Sequence, residues 1–129
     1  MSYYFSKTLH GKSFGEALEH VTAELKKEGF GVLTEIDVKE TLKNKIGVDF
    51  KKYKILGACN PHFAHKALTA EDKIGVFLPC NVVVEEHNNG EVEVSAVDPI
   101  ASMVSAKNEN LGLIANEVQQ KLKRVIDNL

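Results

Sequence analysis

The stretch that decides the fold runs from Ile74 to Val97 and reads IGVFLPCNVVVEEHNNGEVEVSAV. Its first part, Ile74 to Glu86, is apolar and rich in β-branched residues, which is typical of a strand. Pro79 interrupts this part, and because proline cannot donate to a ladder, we expect an edge or a bulge there. Asn89-Gly90 predicts a type I′ hairpin. The return strand, Glu91 to Val97, alternates apolar and polar residues, which favours one buried face.

Strands and helices alternate outside this hairpin. Three more strands are predicted, over Tyr3 to Leu9, Val32 to Ile36 and Tyr53 to Ala58. Helices are expected behind capping signals at Ser13-Phe14-Gly15-Glu16, Asp37 to Glu40 and Asn60-Pro61. Asp98-Pro99 again resembles a cap and a first helical residue, and the chain ends in a helix of about five turns. The resulting order is β-α-β-α-β-α-β-β-α. It predicts an α+β fold in one domain over residues 1–129, with a mainly antiparallel sheet that helices cover on one face.

Composition and charge exclude several classes of protein. Sixteen basic and eighteen acidic residues leave the 129-residue chain a formal net charge of −2, whereas nucleic-acid-binding proteins usually carry a basic excess. No apolar run approaches the roughly 20 residues that cross a bilayer, and no signal-peptide pattern opens the chain. We therefore expect a cytoplasmic protein with no nucleic-acid or membrane partner, whose two cysteines are reduced.

Two Cys-Asn pairs mark the place where chemistry is expected. Cys59-Asn60-Pro61 ends a predicted strand and opens a helix, and Pro79-Cys80-Asn81 lies at the interruption of the longest strand. If the two strands are neighbours, both thiols lie close together beside amides that donate and accept hydrogen bonds. The alternative is structural, because free cysteine is among the most buried residue types and each Asn can bond local backbone.

A metal site is a weaker possibility. Cys59, His62 and His65 form a Cys-x-x-His-x-x-His pattern, and Cys80 could be a fourth ligand for zinc or another late transition metal. A pair of solvent-facing histidines explains the same pattern without a metal. Asp98 could place a carboxylate near the cysteines, although capping also accounts for it. The glycines form no phosphate-binding motif.

These motifs together resemble domain-of-unknown-function family 302. The resemblance covers about residues 53–104 and rests on four elements: KILGACNP (54–61), FAHKAL (63–68), IGVFLPCNVVV (74–84) and AVDP (96–99). It implies a small, dimeric α+β domain and no particular activity, because the family is named for the lack of one. It also favours the Cys-Asn pairs, Pro61, Pro79 and Asp98-Pro99 as site residues. His62 is not part of the family pattern, so the resemblance does not imply a Cys-His-His metal site.

Three functional hypotheses follow. The leading one is a non-enzymatic binding domain, with a pocket near the two Cys-Asn pairs for a small molecule, a haem-like group or a metal. The second is a thiol-based redox or thiol-transfer enzyme, which requires an accessible cysteine of low pKa. The third is a structural or regulatory homodimer. We expect a C2 homodimer in any case, because a sheet covered on one face leaves the other face available.

Overall fold

Five antiparallel strands form one sheet in the order β1-β5-β4-β3-β2. A computed structural model describes residues 2–129 of the chain. The strands are β1 (Tyr4–Leu9), β2 (Gly31–Asp37), β3 (Tyr53–Cys59), β4 (Cys80–Glu86) and β5 (Val92–Val97). Each neighbouring pair is antiparallel. The α+β fold and the mainly antiparallel sheet predicted from the sequence are therefore confirmed.

Five α-helices connect or follow the strands. They are α1 (Phe14–Lys27), α2 (Val38–Ile46), α3 (Pro61–Ala70), α4 (Pro99–Met103) and α5 (Glu109–Asp127). Two short 3₁₀ helices, Asp72–Phe77 and Val104–Ala106, complete the elements of the described residues. None of the helices within residues 2–129 has both the length and the apolar character required to cross a bilayer.

The helix ends follow the sequence signals closely. Ser13 and Glu16 form the predicted capping box of α1. The Asp37 carboxylate accepts from the Glu40 backbone N–H at the start of α2, and Gly47 ends that helix in the left-handed region. Each signal satisfies backbone groups that a helix end would otherwise leave unpaired. The sequence therefore determines locally where these helices begin and end.

The core lies between the sheet and helices α1 and α5. Alternate residues of β4 and β5 are fully buried there, namely Val82, Val84, Val92, Val94 and Ala96. Leu25 of α1 and Leu122 of α5 belong to the same cluster. A second, smaller cluster joins α3, the first 3₁₀ helix, α4 and α5, and consists of Ala67, Ile74, Met103, Leu111 and Ala115. The protein thus has two adjoining apolar clusters on the helix-covered side of its sheet.

Three local predictions were wrong. Residues 74–77 do not extend β4 but belong to the 3₁₀ helix, since Ile74 is buried in the second cluster. Pro79 accordingly lies before β4, neither within an edge strand nor at a bulge. The hairpin also lacks a type I′ turn, which would require positive φ at Asn89 as well as at Gly90. Only Gly90 has positive φ, in a longer loop that begins with a turn closed by the Gly90 N–H to the His87 carbonyl.

On the opposite face of the sheet, which we call the open face, no helix within residues 2–129 packs over the centre. It contains a shallow depression of about 330 Å³ that all three tyrosines of the chain line, Tyr3, Tyr4 and Tyr53. Glu85 and Glu93 lie directly opposite each other across β4 and β5 in the same depression. The two faces of one sheet therefore differ sharply in chemistry.

Candidate functional site

An apolar pocket of about 290 Å³ opens where the two core clusters adjoin. Phe30, Ala58 and Val118 of the larger cluster form one side, while Ala67 and Met103 of the smaller cluster form the other. Its remaining lining residues are Leu33, Cys59, Asn60, Phe63, Ala64, Leu68, Leu78, Pro79, Cys80 and Ile114. Asn60 is the one lining residue with an amide, and none carries a carboxylate or an ammonium group. The pocket therefore suits an uncharged ligand.

Asn60 occupies an unusual position in this lining. Its side chain is 8% exposed, yet the Oδ1 atom has no hydrogen-bond partner. The Nδ2 group donates to the Glu28 carbonyl over 3.3 Å. Asn60 is the predicted N-cap of α3, but its side chain makes no capping bond. A buried polar atom without a partner costs free energy, and native proteins contain few of them. Oδ1 is thus a buried acceptor without a partner, in a residue that lines the pocket.

The end of α1 holds the Asn60 amide in place. Gly29 follows α1 with a φ of +86°, and a Cβ atom built there would lie 2.9 Å from Asn60 Nδ2. The Phe30 N–H donates to the Leu25 carbonyl, which closes the helix end and brings Phe30 to the pocket. Gly29 therefore serves twice, because it adopts the left-handed conformation and leaves room for the amide.

Both cysteines line the pocket, and their strands are neighbours. Ala58 of β3 lies directly across from Cys80 of β4, and Cys59 is the next residue along β3. Both thiols are free; Cys80 is buried and Cys59 is half-buried. Burial, and to a smaller extent the neighbouring Cys59, raises the pKa of the Cys80 thiol from 9.0 to about 11. Cys80 is therefore a protonated thiol at neutral pH.

Pro79 completes the wall through a close packing arrangement. The Leu78–Pro79 peptide bond is cis. A Cβ atom built on Gly57 would lie 2.7 Å from Pro79 Cγ and would clash with Thr34 Oγ1. Because Gly57 has no side chain, Thr34 of β2 and Pro79 can pack directly against β3 at this position.

The other candidate residues lie elsewhere. Pro61 is at the first position of α3, as predicted, and is exposed. Asn81 is exposed and lines the depression of the open face, so the two Cys-Asn pairs do not converge on one site. Asp98 caps α4 by accepting from the Ile100 N–H, and Gln119 also donates to it. Of the seven predicted ligand-binding residues, Cys59, Asn60, Pro79 and Cys80 line the pocket.

The four weak metal-ligand candidates do not come together. His62 and His65 are both exposed on α3, because the opposite side of that helix packs Phe63, Ala64 and Ala67 against the pocket. Within the described part of the chain, the one group of three such ligand atoms within 4.8 Å of one another is Glu85, His87 and Glu93.

That group already has partners within the chain. Lys51 Nζ lies 2.6 Å from Glu85, and His87 Nε2 lies 2.8 Å from Glu93. These contacts offset the repulsion between two carboxylates that face each other across the strands.

Comparisons with known proteins agree with this architecture. The family model "Domain of unknown function DUF302" matches residues 5–129. The chain belongs to the DUF302 family. The crystal structure of an uncharacterized conserved DUF302 protein from Bacillus stearothermophilus is similar, with a TM-score of 0.90, 30% sequence identity and 98% of each chain covered. No curated protein matches. The family predicted from the Cys-Asn motifs is therefore confirmed.

Sequence motifs identified only one part of the pocket in this DUF302 protein. Phe30, Leu33, Met103 and Ile114 also line it, but they come from three distant segments of the chain. Nothing in the sequence distinguishes an apolar residue that faces a pocket from one in a filled core.

Proposed function

We propose that this DUF302 protein is a non-enzymatic binding domain for a small apolar molecule. The observation that carries the proposal is the unpartnered, buried Asn60 Oδ1 in the lining of an otherwise apolar pocket. Ligand sites in proteins commonly combine apolar walls with a few polar groups that orient the ligand. Leu33 and Leu68 line the pocket yet are 68% and 44% exposed, so apolar side chains also border its entrance.

The volume restricts the size of the ligand. A dry engineered cavity of roughly 150 Å³ accommodates one benzene ring. The pocket here is about 290 Å³, which is about twice that volume and matches a molecule of one or two rings. This size favours a small molecule over a haem-like macrocycle. The separation of His62 and His65 from the pocket likewise favours a small molecule over a metal ion.

A thiol-based enzyme is the second hypothesis, and the pocket chemistry favours it less. Thiol chemistry proceeds through the thiolate, and the pKa of Cys80 is raised to about 11. No cation lines the pocket to stabilise a thiolate. In the proposed binding domain both cysteines act as soft, polarizable contacts for the ligand.

Naphthalene is a suitable probe for this proposal, because it has two rings and no polar group. The chain contains no Trp, so the emission of the probe is measured without Trp background. Ala64 lines the pocket and is half-buried. We expect fluorescence anisotropy to show saturable binding to the natural sequence and at least tenfold weaker binding to Ala64→Phe, whose ring occupies the same space.

The matched control is Ala23→Phe, an exposed position on α1 outside the pocket. This variant is expected to bind naphthalene as the natural sequence does. Absence of saturable binding to the natural sequence, or equal binding by Ala64→Phe, would overturn the proposal.

We also propose that the open face mediates a C2 homodimer. The support is the depression of about 330 Å³, which gathers three tyrosines in the centre of an uncovered sheet face. Tyrosine is enriched at protein interfaces, where its ring is buried and its hydroxyl remains hydrogen-bonded. A two-fold axis through this depression would stack the same aromatic surface of both copies.

Sedimentation equilibrium tests the dimer directly. We expect twice the monomer mass for the natural sequence and the monomer mass for Ser95→Lys, which places a charge in the depression. Ser105→Lys, at an exposed position outside the depression, is the control and stays dimeric. A monomeric natural sequence, or a dimeric Ser95→Lys variant, would refute this interface.

A further inference from the structure

We infer that Asn60 determines the specificity of the pocket and selects a neutral ligand with one hydrogen-bond donor, a hydroxyl or an N–H group. The inference rests on the proposed binding function and adds the chemical class of the ligand.

The acceptor character of the site follows from the fixed amide. The Nδ2 group of Asn60 is engaged by the Glu28 carbonyl, and the space around it is limited by Gly29. One of its two hydrogens is used by this bond, whereas Oδ1 has no partner at all, and a carbonyl oxygen can accept but cannot donate. A ligand that presents only acceptors would leave two facing acceptors without a proton between them.

The Glu28 side chain is itself held by a second helix. Its carboxylate accepts from Arg124 Nε over 3.2 Å and from Arg124 Nη2 over 3.0 Å. Arg124 is in α5, so this bond joins the end of α1 to the helix that covers the sheet. The backbone carbonyl of Glu28, at the end of α1, accepts the hydrogen bond from Asn60.

The neutrality of the ligand follows from the rest of the lining. An ionised carboxylate or ammonium group loses several kcal/mol of hydration in an apolar site unless an opposite charge compensates it, and no lining residue supplies one. A neutral donor loses far less and gains the bond to Asn60. Size, charge and donor count together describe a ligand such as a phenol or an indole, with one polar hydrogen on an apolar body.

Three naphthalene derivatives separate these properties. 2-Naphthol donates a hydrogen bond, 2-methoxynaphthalene accepts only, and 2-naphthoate carries a negative charge on the same ring system. We expect 2-naphthol to bind about tenfold more tightly than 2-methoxynaphthalene, the factor that one neutral hydrogen bond typically supplies. We expect 2-naphthoate to bind at least tenfold more weakly than 2-naphthol.

The protein side of the test uses the two Cys-Asn pairs as a matched set. Asn60→Leu keeps the branching at Cγ and removes the acceptor, so the preference for 2-naphthol over 2-methoxynaphthalene falls to about onefold. Asn81→Leu makes the same change on the open face, outside the pocket, and retains the preference. The ligand series on the natural sequence gives a result even if Asn60→Leu fails to fold.

The possible failures are distinguishable. Equal binding of 2-naphthol and 2-methoxynaphthalene, a preference that persists in Asn60→Leu, or tight binding of 2-naphthoate would overturn this inference while the pocket remains a binding site. Failure of the natural sequence to bind naphthalene or any of its three derivatives would overturn the proposed function, and the inference with it.

Discussion

The covered face and the open face of the sheet are formed by the same strands, but they differ in burial and in residue type. On the covered face, Val82, Val84 and Val94 are completely buried beneath α1 and α5. On the open face the alternate positions carry Asn81, Glu85 and Glu93 and remain partly or fully exposed. Because side chains alternate along a strand, each residue type reaches only one of these environments. The comparison predicts large effects for changes on the covered face and small ones on the open face.

The largest expected effect lies at the centre of the covered face. Leu122 of α5 is 0% exposed in the main core cluster. Leu122→Ala removes buried apolar contacts and leaves a cavity, so we expect the free energy of unfolding to fall by about 2–5 kcal/mol. Leu113→Ala, on the same helix at a position 71% exposed, should change it by less than about 0.5 kcal/mol. Urea denaturation measures both, and similar losses would contradict the assignment of the covered face.

The buried thiol gives the next largest effect, and its sign is set by its pKa. Burial raises the pKa of Cys80 from 9.0 to about 11, so the folded state retains a proton that the unfolded state releases as the pH rises through 9. Stability from this group is present below pH 9 and is lost by about pH 11. Two pKa units correspond to about 2–3 kcal/mol.

The measurement compares urea unfolding at pH 7 and pH 11. Cys80→Ala should show a smaller loss of stability at pH 11 than the natural sequence does. Cys59→Ala is the control and should keep most of the pH dependence. An identical pH dependence for Cys80→Ala and the natural sequence would show that Cys80 is not buried as described.

A substitution at Gly57 is expected to be an exception to this contrast in mutational effects between the two faces. The neighbours of its missing side chain are Thr34 and Pro79, which close over it. Gly57→Ala should therefore lower the free energy of unfolding by about 1–3 kcal/mol through overpacking. Thr34→Ala removes the nearer neighbour, so the double variant should lose less than the sum of the two single changes. Strict additivity in urea denaturation would argue against the contact.

The smallest effect concerns the charges of the open face. Lys51→Met removes the partner of Glu85 and leaves this carboxylate facing Glu93. We expect a loss of about 0.5–1 kcal/mol at low salt, and less at high salt because the charges are partly exposed and screened. Adding Glu85→Gln should restore most of the stability. Lys52→Met, at a neighbouring exposed position, is the control, and an equal loss in that variant would contradict the role of Lys51.

Local signals in the sequence were sufficient for most of the fold. The capping box at Ser13, the left-handed glycine at position 47 and the alternation from Glu91 to Val97 each specify structure within a few residues. Residues 74–77 could not be predicted in this way. Their apolar, β-branched run fits a strand, but the burial of Ile74 against α4 and α5 determines a 3₁₀ helix instead. Such tertiary contacts override local preference.

The candidate site was predictable only where its residues are close in sequence to a break in structure. Cys59, Asn60, Pro79 and Cys80 were found because each flanks a strand end. The pairing of the two Asn residues was misleading, since Asn81 is one position inside β4 and points to the face opposite that of Cys80. The role of Asn60 depends on Glu28 and Gly29, about thirty residues earlier, and no local pattern links them.

The irregular register of β2 affects how readily molecules of this protein can pair through the edges of their sheets. The register of β2 against β3 shifts between Val32 and Thr34, and the residue passed over, Leu33, lines the pocket. An edge strand with a regular row of free N–H and C=O groups is a template for aggregation. The bulge interrupts that row, and at the other edge Lys7 of β1 faces inward with a charge. Both edges of the sheet therefore carry a feature that native proteins use against strand-by-strand association.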